Sequence, residues 1–191
     1  MTAWIKIIED SEANEELKSV LELAKTPHGT VDNVMRVHSL RPNTMKGHLI
    51  LYRSVLHDKK NTLPMWLQET ISSYVSILNN CDYSLANHWK NAVHLIDNIS
   101  YSDLIYKALK KDCPEEVFSG VELEIMKYSK KLTLYPGKMI KRDVEKLKKF
   151  SLDDGKILEV NQIVCYFNYV NRSLNGLGVS LKGDTVGFYK D

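Results

Sequence analysis

The residues best suited to chemistry lie in one stretch, from Glu69 to His88. Cys81, Ser84 and His88 are spaced i, i+3, i+7, so on a helix that begins near Cys81 they share a face. A thiol at a helix N-terminus feels the positive end of the macrodipole, which lowers its pKa and favours the thiolate. An imidazole on the same face can exchange protons near neutral pH. His88 lies two turns beyond Cys81 and one turn beyond Ser84, so reach favours Ser84 as its neighbour. In the preceding helix Leu67, Ile71, Tyr74 and Leu78 form an apolar stripe, while Glu69, Ser72, Ser73 and Ser76 lie on a polar side. If that side faces the Cys81 helix, Glu69 can hold or deprotonate His88. Spacing alone weighs more heavily for the bland alternatives: a structural Cys, a packed or exposed His and a solvated Glu.

These side chains need helices to position them, and the apolar spacing of three and four residues supplies them throughout. Asp10-Ser11 is placed to cap a first helix carrying Leu17, Val20, Leu21 and Ala24. Val31 to Leu40 reads as a short helix. Pro42 opens a longer one with Met45, Leu49, Tyr52, Val55 and Leu56 on one side. Pro64 opens another that runs to about Asn79, and the next extends from Cys81 or Asp82 to about Asn98. Within it Leu85, Trp89, Ala92, Ile96 and Ile99 should face the core. Further helices are expected over Ser102 to Lys110, about 121–132, about 141–149 and about 153–174, the last stopped by Gly176 and Gly178. The tail from Val179 is expected to lie over the surface or a neighbouring subunit. The expectation is an all-α, single-domain chain over 1–191, with 1–30 as an N-terminal helical arm.

Composition narrows the class. A chain of 191 residues with 43% apolar and 26% charged residues is globular in composition. Nine Gly and five Pro are few for an all-β chain. The formal charge of +2 supplies no field for nucleic acid or an anionic membrane. Three Cys argue against a secreted disulfide framework and for a reducing, cytoplasmic compartment. No stretch approaches the roughly 20 apolar residues of a membrane span, and Met1 to Asp10 has no signal-peptide core. Metal-ligand spacings such as His-Glu-x-x-His are absent, as are Gly-rich phosphate loops, so no metal or cofactor is expected. The basic run Lys138, Lys141, Arg142, Lys146, Lys148 and Lys149 is interrupted by Asp143 and Glu145 and reads as a solvated face.

The order Glu69, Cys81, Tyr83-Ser84, His88 resembles the motif Glu-x11-Cys-x-x-Cys-x3-His of the alkylhydroperoxidase D-like (carboxymuconolactone decarboxylase) superfamily. His38-Ser-Leu-Arg-Pro42 with Met45-Lys-Gly-His48 looks like the N-terminal half of its peroxidase-related branch. Tyr128-Ser-Lys-Lys-Leu132, with Pro136 and Asp143, looks like the middle. Tyr166-Phe-Asn-Tyr-Val-Asn-Arg172 and Gly176-Leu-Gly178 look like the C-terminal helix. The resemblance spans roughly residues 30–180. It implies an all-helical oligomer, a dimer or a hexamer, and a thiol peroxidase in which the second Cys attacks a hydroperoxide and the first resolves it, with a Glu and a His relaying protons.

This chain departs from that pattern at Ser84, which cannot form a disulfide. Cys113 is expected in a loop and Cys165 as a buried thiol, so neither replaces the missing Cys locally. Three readings stay open. Cys81 acts alone on a small hydroperoxide and is reduced by an external thiol, with His88 and Glu69 as proton relay and Ser84 as a donor. Alternatively, Glu69 and His88 carry out cofactor-free acid–base chemistry on a small anionic lactone, as in the decarboxylase branch. Or the fold persists as a non-catalytic oligomer. Tyr83, His48, Asn171 and Arg172 are the candidate pocket residues, with Arg172 as a possible anion contact. His28, His38, His57 and His94 show no partner pattern.

Overall fold

A computed structural model describes residues 1–189. Among these residues the regular elements are all helical: α1 (Glu15–Leu23), α2 (Asn33–Arg36), α3 (Pro42–Leu56), α4 (Met65–Leu78), α5 (Asp82–Ile96), α6 (Ile99–Lys110), α7 (Gly120–Leu134), α8 (Lys141–Lys149) and α9 (Asp154–Leu177). Short 3-10 turns fall at Asp10–Glu12, Pro114–Glu116 and Pro136–Lys138.

α4 forms the axis of the fold. Every residue from Leu67 to Ser76 is buried, and α5, α7 and α9 pack around it. Its polar side is therefore interior, and each hydroxyl must find a partner. Ser72, Ser73 and Ser76 donate to carbonyl oxygens one turn back, at 2.7, 2.8 and 2.8 Å. These local bonds satisfy the serines within their own helix, and their small side chains let α5 approach closely. Asn80, at φ 51°, turns the chain from α4 into α5 in the left-handed conformation that Asn tolerates. A smaller apolar cluster of Leu17, Val20, Leu21, Met35, Met45 and Leu49 ties α1 and α2 to α3.

Several helix ends differ from expectation for identifiable reasons. Asp10 does not cap α1, because its carboxylate takes the Arg36 guanidinium at 2.6 Å. Asn14 caps instead, accepting from the Leu17 amide at 2.9 Å. No helix precedes Asp10, so residues 1–30 are a helical arm only in part. Asn98 caps α6 through the Tyr101 amide, which starts that helix at Ile99 and leaves Ile99 exposed rather than on the α5 core stripe. α9 runs through Gly176, and Gly178, at φ 59°, ends it. Cys165 on α9 is exposed, not buried, since the helix keeps one outer face. Among the described residues no helix is long and apolar enough to cross a membrane.

Beyond Gly178 the chain folds back over its own helices. The Ser180 amide donates to Thr2 O at 2.8 Å and the Trp4 amide to Leu177 O at 2.8 Å. A Cβ at Gly178 would lie 2.1 Å from the Trp4 ring, whereas one at Gly176 meets nothing within 4 Å. Gly178→Ala should cost about 1 kcal/mol through the left-handed penalty and shift Trp emission, while Gly176→Ala should gain up to about 1 kcal/mol. Urea midpoints read both signs.

Candidate functional site

The α4–α5 hairpin places a carboxylate from the axial helix under the imidazole of its neighbour. His88 Nδ1 lies 2.6 Å from Glu69 Oε2. Asn91, one turn further along α5, donates from Nδ2 to Glu69 Oε1 at 3.2 Å. A carboxylate only accepts, so the proton of this bond sits on Nδ1 and Nε2 is left as the basic nitrogen. The Phe167 ring meets His88 edge-on at 4.5 Å and fixes its plane. The Glu69 side chain is 0% exposed and that of His88 13%. The pair thus meets the outside only through the imidazole.

His88 opens into a cavity of about 460 Å³. Met35, Leu49, Val170 and Leu174 give it apolar walls, with Tyr52, Tyr166 and Phe188 as aromatic ones. Ser84, Tyr83, Asn87, Asn91, His57 and Asp32 supply its polar groups, and Lys25 and Arg53 its cations. The volume suits a small organic molecule held by a few polar contacts.

The sequence-expected residues divide into two sets. Glu69, His88, Ser84 and Tyr83 come together: Ser84 lines the cavity, with its Oγ 2.9 Å from Ser76 Oγ. Tyr83 also lines it, its hydroxyl donating to Asp184 at 2.5 Å and accepting from the Val34 amide at 3.1 Å. Cys81 does not line it. That residue is 1% exposed in the core beside α4. Burial pushes its thiol above the ordinary value, the Ser84 amide offsets this only in part, and Asp82 adds to the rise. The lowered pKa expected from the helix N-terminus is therefore reversed by desolvation. His48 stands behind the wall, with Nε2 2.9 Å from the Tyr166 hydroxyl. Asn171 is fully buried and donates to Ser76 Oγ at 3.3 Å. Arg172 is not among the residues that line the cavity; it donates to Asn168 O and Oδ1 at 2.8 and 2.6 Å, one turn back on its own helix.

Sequence reasoning missed three parts of the site. His57, 2.8 Å from the Tyr52 hydroxyl, stacks on Phe188 with ring centroids 4.7 Å apart. The tail forms one wall of its own chain's cavity: the Gly187 amide donates to Asn87 Oδ1 at 2.9 Å and the Phe188 amide to Asn91 Oδ1 at 2.7 Å. Asp32 lines the cavity with Oδ1 buried and unpartnered. Burial chiefly, and then Asp184, pushes its carboxyl up to about 7. No spacing in the sequence connects these parts: the tail amides of Gly187 and Phe188 meet partners 100 and 97 positions away. Among the described residues no three His, Cys, Asp or Glu side chains converge as a metal site.

No family model and no curated sequence matches the chain. Solved structures do. A peroxidase-related protein with an alkylhydroperoxidase core from Ralstonia eutropha JMP134 superposes with a TM-score of 0.81 at 15% identity, covering 96% of this chain and 94% of that one. A peroxidase-related protein from Silicibacter sp. TM1040 gives 0.79 at 17% identity, covering 94% and 91%. The debrominase Bmp8 gives 0.74 at 14% identity, covering 96% and 92%. A cysteine-to-alanine variant of Bmp8, in complex with 2,3,4-tribromopyrrole, is similar as well. The chain has the alkylhydroperoxidase D-like fold, in agreement with the resemblance read from its motifs.

Two outcomes test this geometry. A thiol reagent should modify Cys165 first and Cys81 last, at the rate of unfolding, as read by peptide mass spectrometry. Between pH about 4 and about 7 the folded chain holds a proton on Asp32 that the unfolded chain has lost, so stability falls as pH rises through that window. Asp32→Asn should flatten the fall and be the more stable protein at pH 8, as read by urea midpoints at pH 5 and pH 8.

Proposed function

We propose that the chain is an acid–base enzyme acting on a small, largely apolar molecule with one carbonyl or carboxylate group, and that His88 is its base. One observation carries this: His88 faces the cavity on a buried Glu69, whereas Cys81 is buried away from it. Glu69 holds the imidazole in one tautomer and orientation, which is how a paired carboxylate assists a general base. Ser84, where the family motif has its second Cys, and Tyr83 supply polar contacts to the bound molecule. Arg53 takes the place expected of Arg172 as the cation near a carboxylate. The aromatic walls formed by Tyr52, Tyr166 and Phe188 suit a flat ring, and the pyrrole complex of Bmp8 supports a compact ring as ligand.

The peroxidase-related neighbours favour a second reading, in which Cys81 reacts with a hydroperoxide and an external thiol reduces it. The raised thiol and its burial weigh against this. We also read the chain as a homo-oligomer, because Ile50, Leu51, Leu158 and Tyr169 are large apolar residues exposed on α3 and α9.

The experiment combines a hydroperoxide challenge with dimedone trapping and a turnover screen of small lactones and carboxylates. Wild type should give no adduct at Cys81. Turnover found in the screen should persist in Cys81→Ala within a few-fold, and fall on the order of 100-fold or more in His88→Ala. A dimedone adduct at Cys81 with thiol-dependent peroxide consumption would replace the acid–base reading with the peroxidase one.

A further inference from the structure

Behind the cavity wall a file of hydrogen-bonded groups runs from Tyr166 to the protein surface. The Tyr166 hydroxyl lies 2.9 Å from His48 Nε2, His48 Nδ1 lies 3.1 Å from His38 Nε2, and His38 Nδ1 lies 2.9 Å from Thr44 Oγ1. Tyr166 lines the cavity, His48 is 3% exposed and His38 lies nearer solvent. Both nitrogens of both rings are engaged, which packing alone does not require. The His38 and His48 centroids are 5.1 Å apart, and the Tyr169 ring meets His48 edge-on at 5.6 Å.

Counting donors fixes the direction of the file. The Thr44 hydroxyl spends its one proton on Arg41 O at 2.8 Å, so Thr44 Oγ1 accepts and His38 Nδ1 carries a hydrogen. Burial lowers the pKa of His38 and pushes that of His48 down to about 3, so both rings are neutral. His38 Nε2 must then accept from His48 Nδ1–H, and His48 Nε2 from the Tyr166 O–H. Burial also holds Tyr166 as a phenol. The Tyr166 oxygen thus spends its proton, and none of its lone pairs, on His48, and Tyr166 is the member of the file that lines the cavity.

We propose that Tyr166, His48 and His38 form a proton path between the cavity and solvent, with Tyr166 as its inner terminus. A proton delivered to the Tyr166 oxygen displaces the phenolic proton to His48 Nε2. The Nδ1 proton of His48 passes to His38 Nε2, and the Nδ1 proton of His38 passes to the exposed Thr44 Oγ1, whose own proton leaves to water. One proton moves out, every group ends neutral, and the file points the other way. A proton entering through Thr44 and His38 restores it and releases the Tyr166 proton into the cavity. The use of this path in turnover rests on the acid–base reading, but the path itself requires no substrate to be known. His48 and His38 act through Tyr166 and are positioning residues.

The test is nitrogen-15 and proton NMR on the full chain without ligand. In wild type both His38 and His48 should be neutral and carry hydrogen on Nδ1. Finding His48 protonated on Nε2, or as imidazolium at neutral pH, overturns the proposal. In His48→Gln the amide oxygen still accepts from Tyr166 and the amide nitrogen still donates to His38, so the static contacts persist while an amide passes no proton. Exchange of the Tyr166 hydroxyl with water should slow on the order of tenfold or more. A purely structural network predicts unchanged or faster exchange as the packing loosens, and that result also overturns the path. His48→Gln that fails to fold leaves the wild-type tautomers to decide. Because no turnover is measured, a failed path and a failed acid–base function are told apart.

Discussion

The structure is organised around one buried carboxylate. Glu69 sits on α4, the helix around which α5, α7 and α9 pack, with none of its side chain in solvent. A carboxyl group in that position must be satisfied on both oxygens, because an unpartnered polar group in the interior costs far more than a made hydrogen bond returns. His88 and Asn91, one turn apart on α5, meet that need. They also constrain the rest. The α4–α5 hairpin must bring these residues together, which the left-handed Asn80 allows. The far side of Asn91 then takes the Phe188 amide, so the same contact that satisfies Glu69 anchors the tail across the cavity.

That arrangement separates two roles which the sequence motif had placed side by side. On the helix face, Cys81, Ser84 and His88 are equivalent in spacing. In the fold, Cys81 is the cap residue at the bottom of the hairpin, pressed into the core, while Ser84 and His88 reach the cavity. The macrodipole and the Ser84 amide favour the thiolate, but desolvation at a residue 1% exposed outweighs them. With serine at the cavity position, the polar chemistry left there is that of an oriented imidazole, hydroxyl groups and a carboxyl at Asp32.

Legibility in the sequence followed locality. Helix periodicity locates α3, α4, α5, α7 and α8 closely, and the polar side of α4 makes the Glu69–His88 pairing one of the readings left open, because these depend on residues within twenty positions of each other. Cap residues were harder: Asp10 and Asn14 are both good caps, and only the distant Arg36 decided between them. Cys165 sits in an apolar stretch yet is exposed, since a helix can be apolar on more sides than it buries. The polar side chains spaced along α9 favour a packing network over a pocket lining, and Asn168 and Asn175 do bond Asn79 and Thr133 on neighbouring segments. The cavity walls from Asp32, His57 and the tail had no local signature at all. They are assembled by tertiary contacts between distant segments, such as the Asn33 amide with Asp184, 151 positions apart.

The account stands on His88 being a base held by Glu69, and the ring nitrogen that bears the proton tests it most directly. Nitrogen-15 NMR of the His88 side chain in the unliganded protein should show hydrogen on Nδ1, bonded to Glu69, with Nε2 unprotonated and responsive to a small carboxylate such as benzoate added to fill the cavity. Hydrogen fixed on Nε2, or an Nε2 signal indifferent to a ligand shown to occupy the cavity, would contradict it.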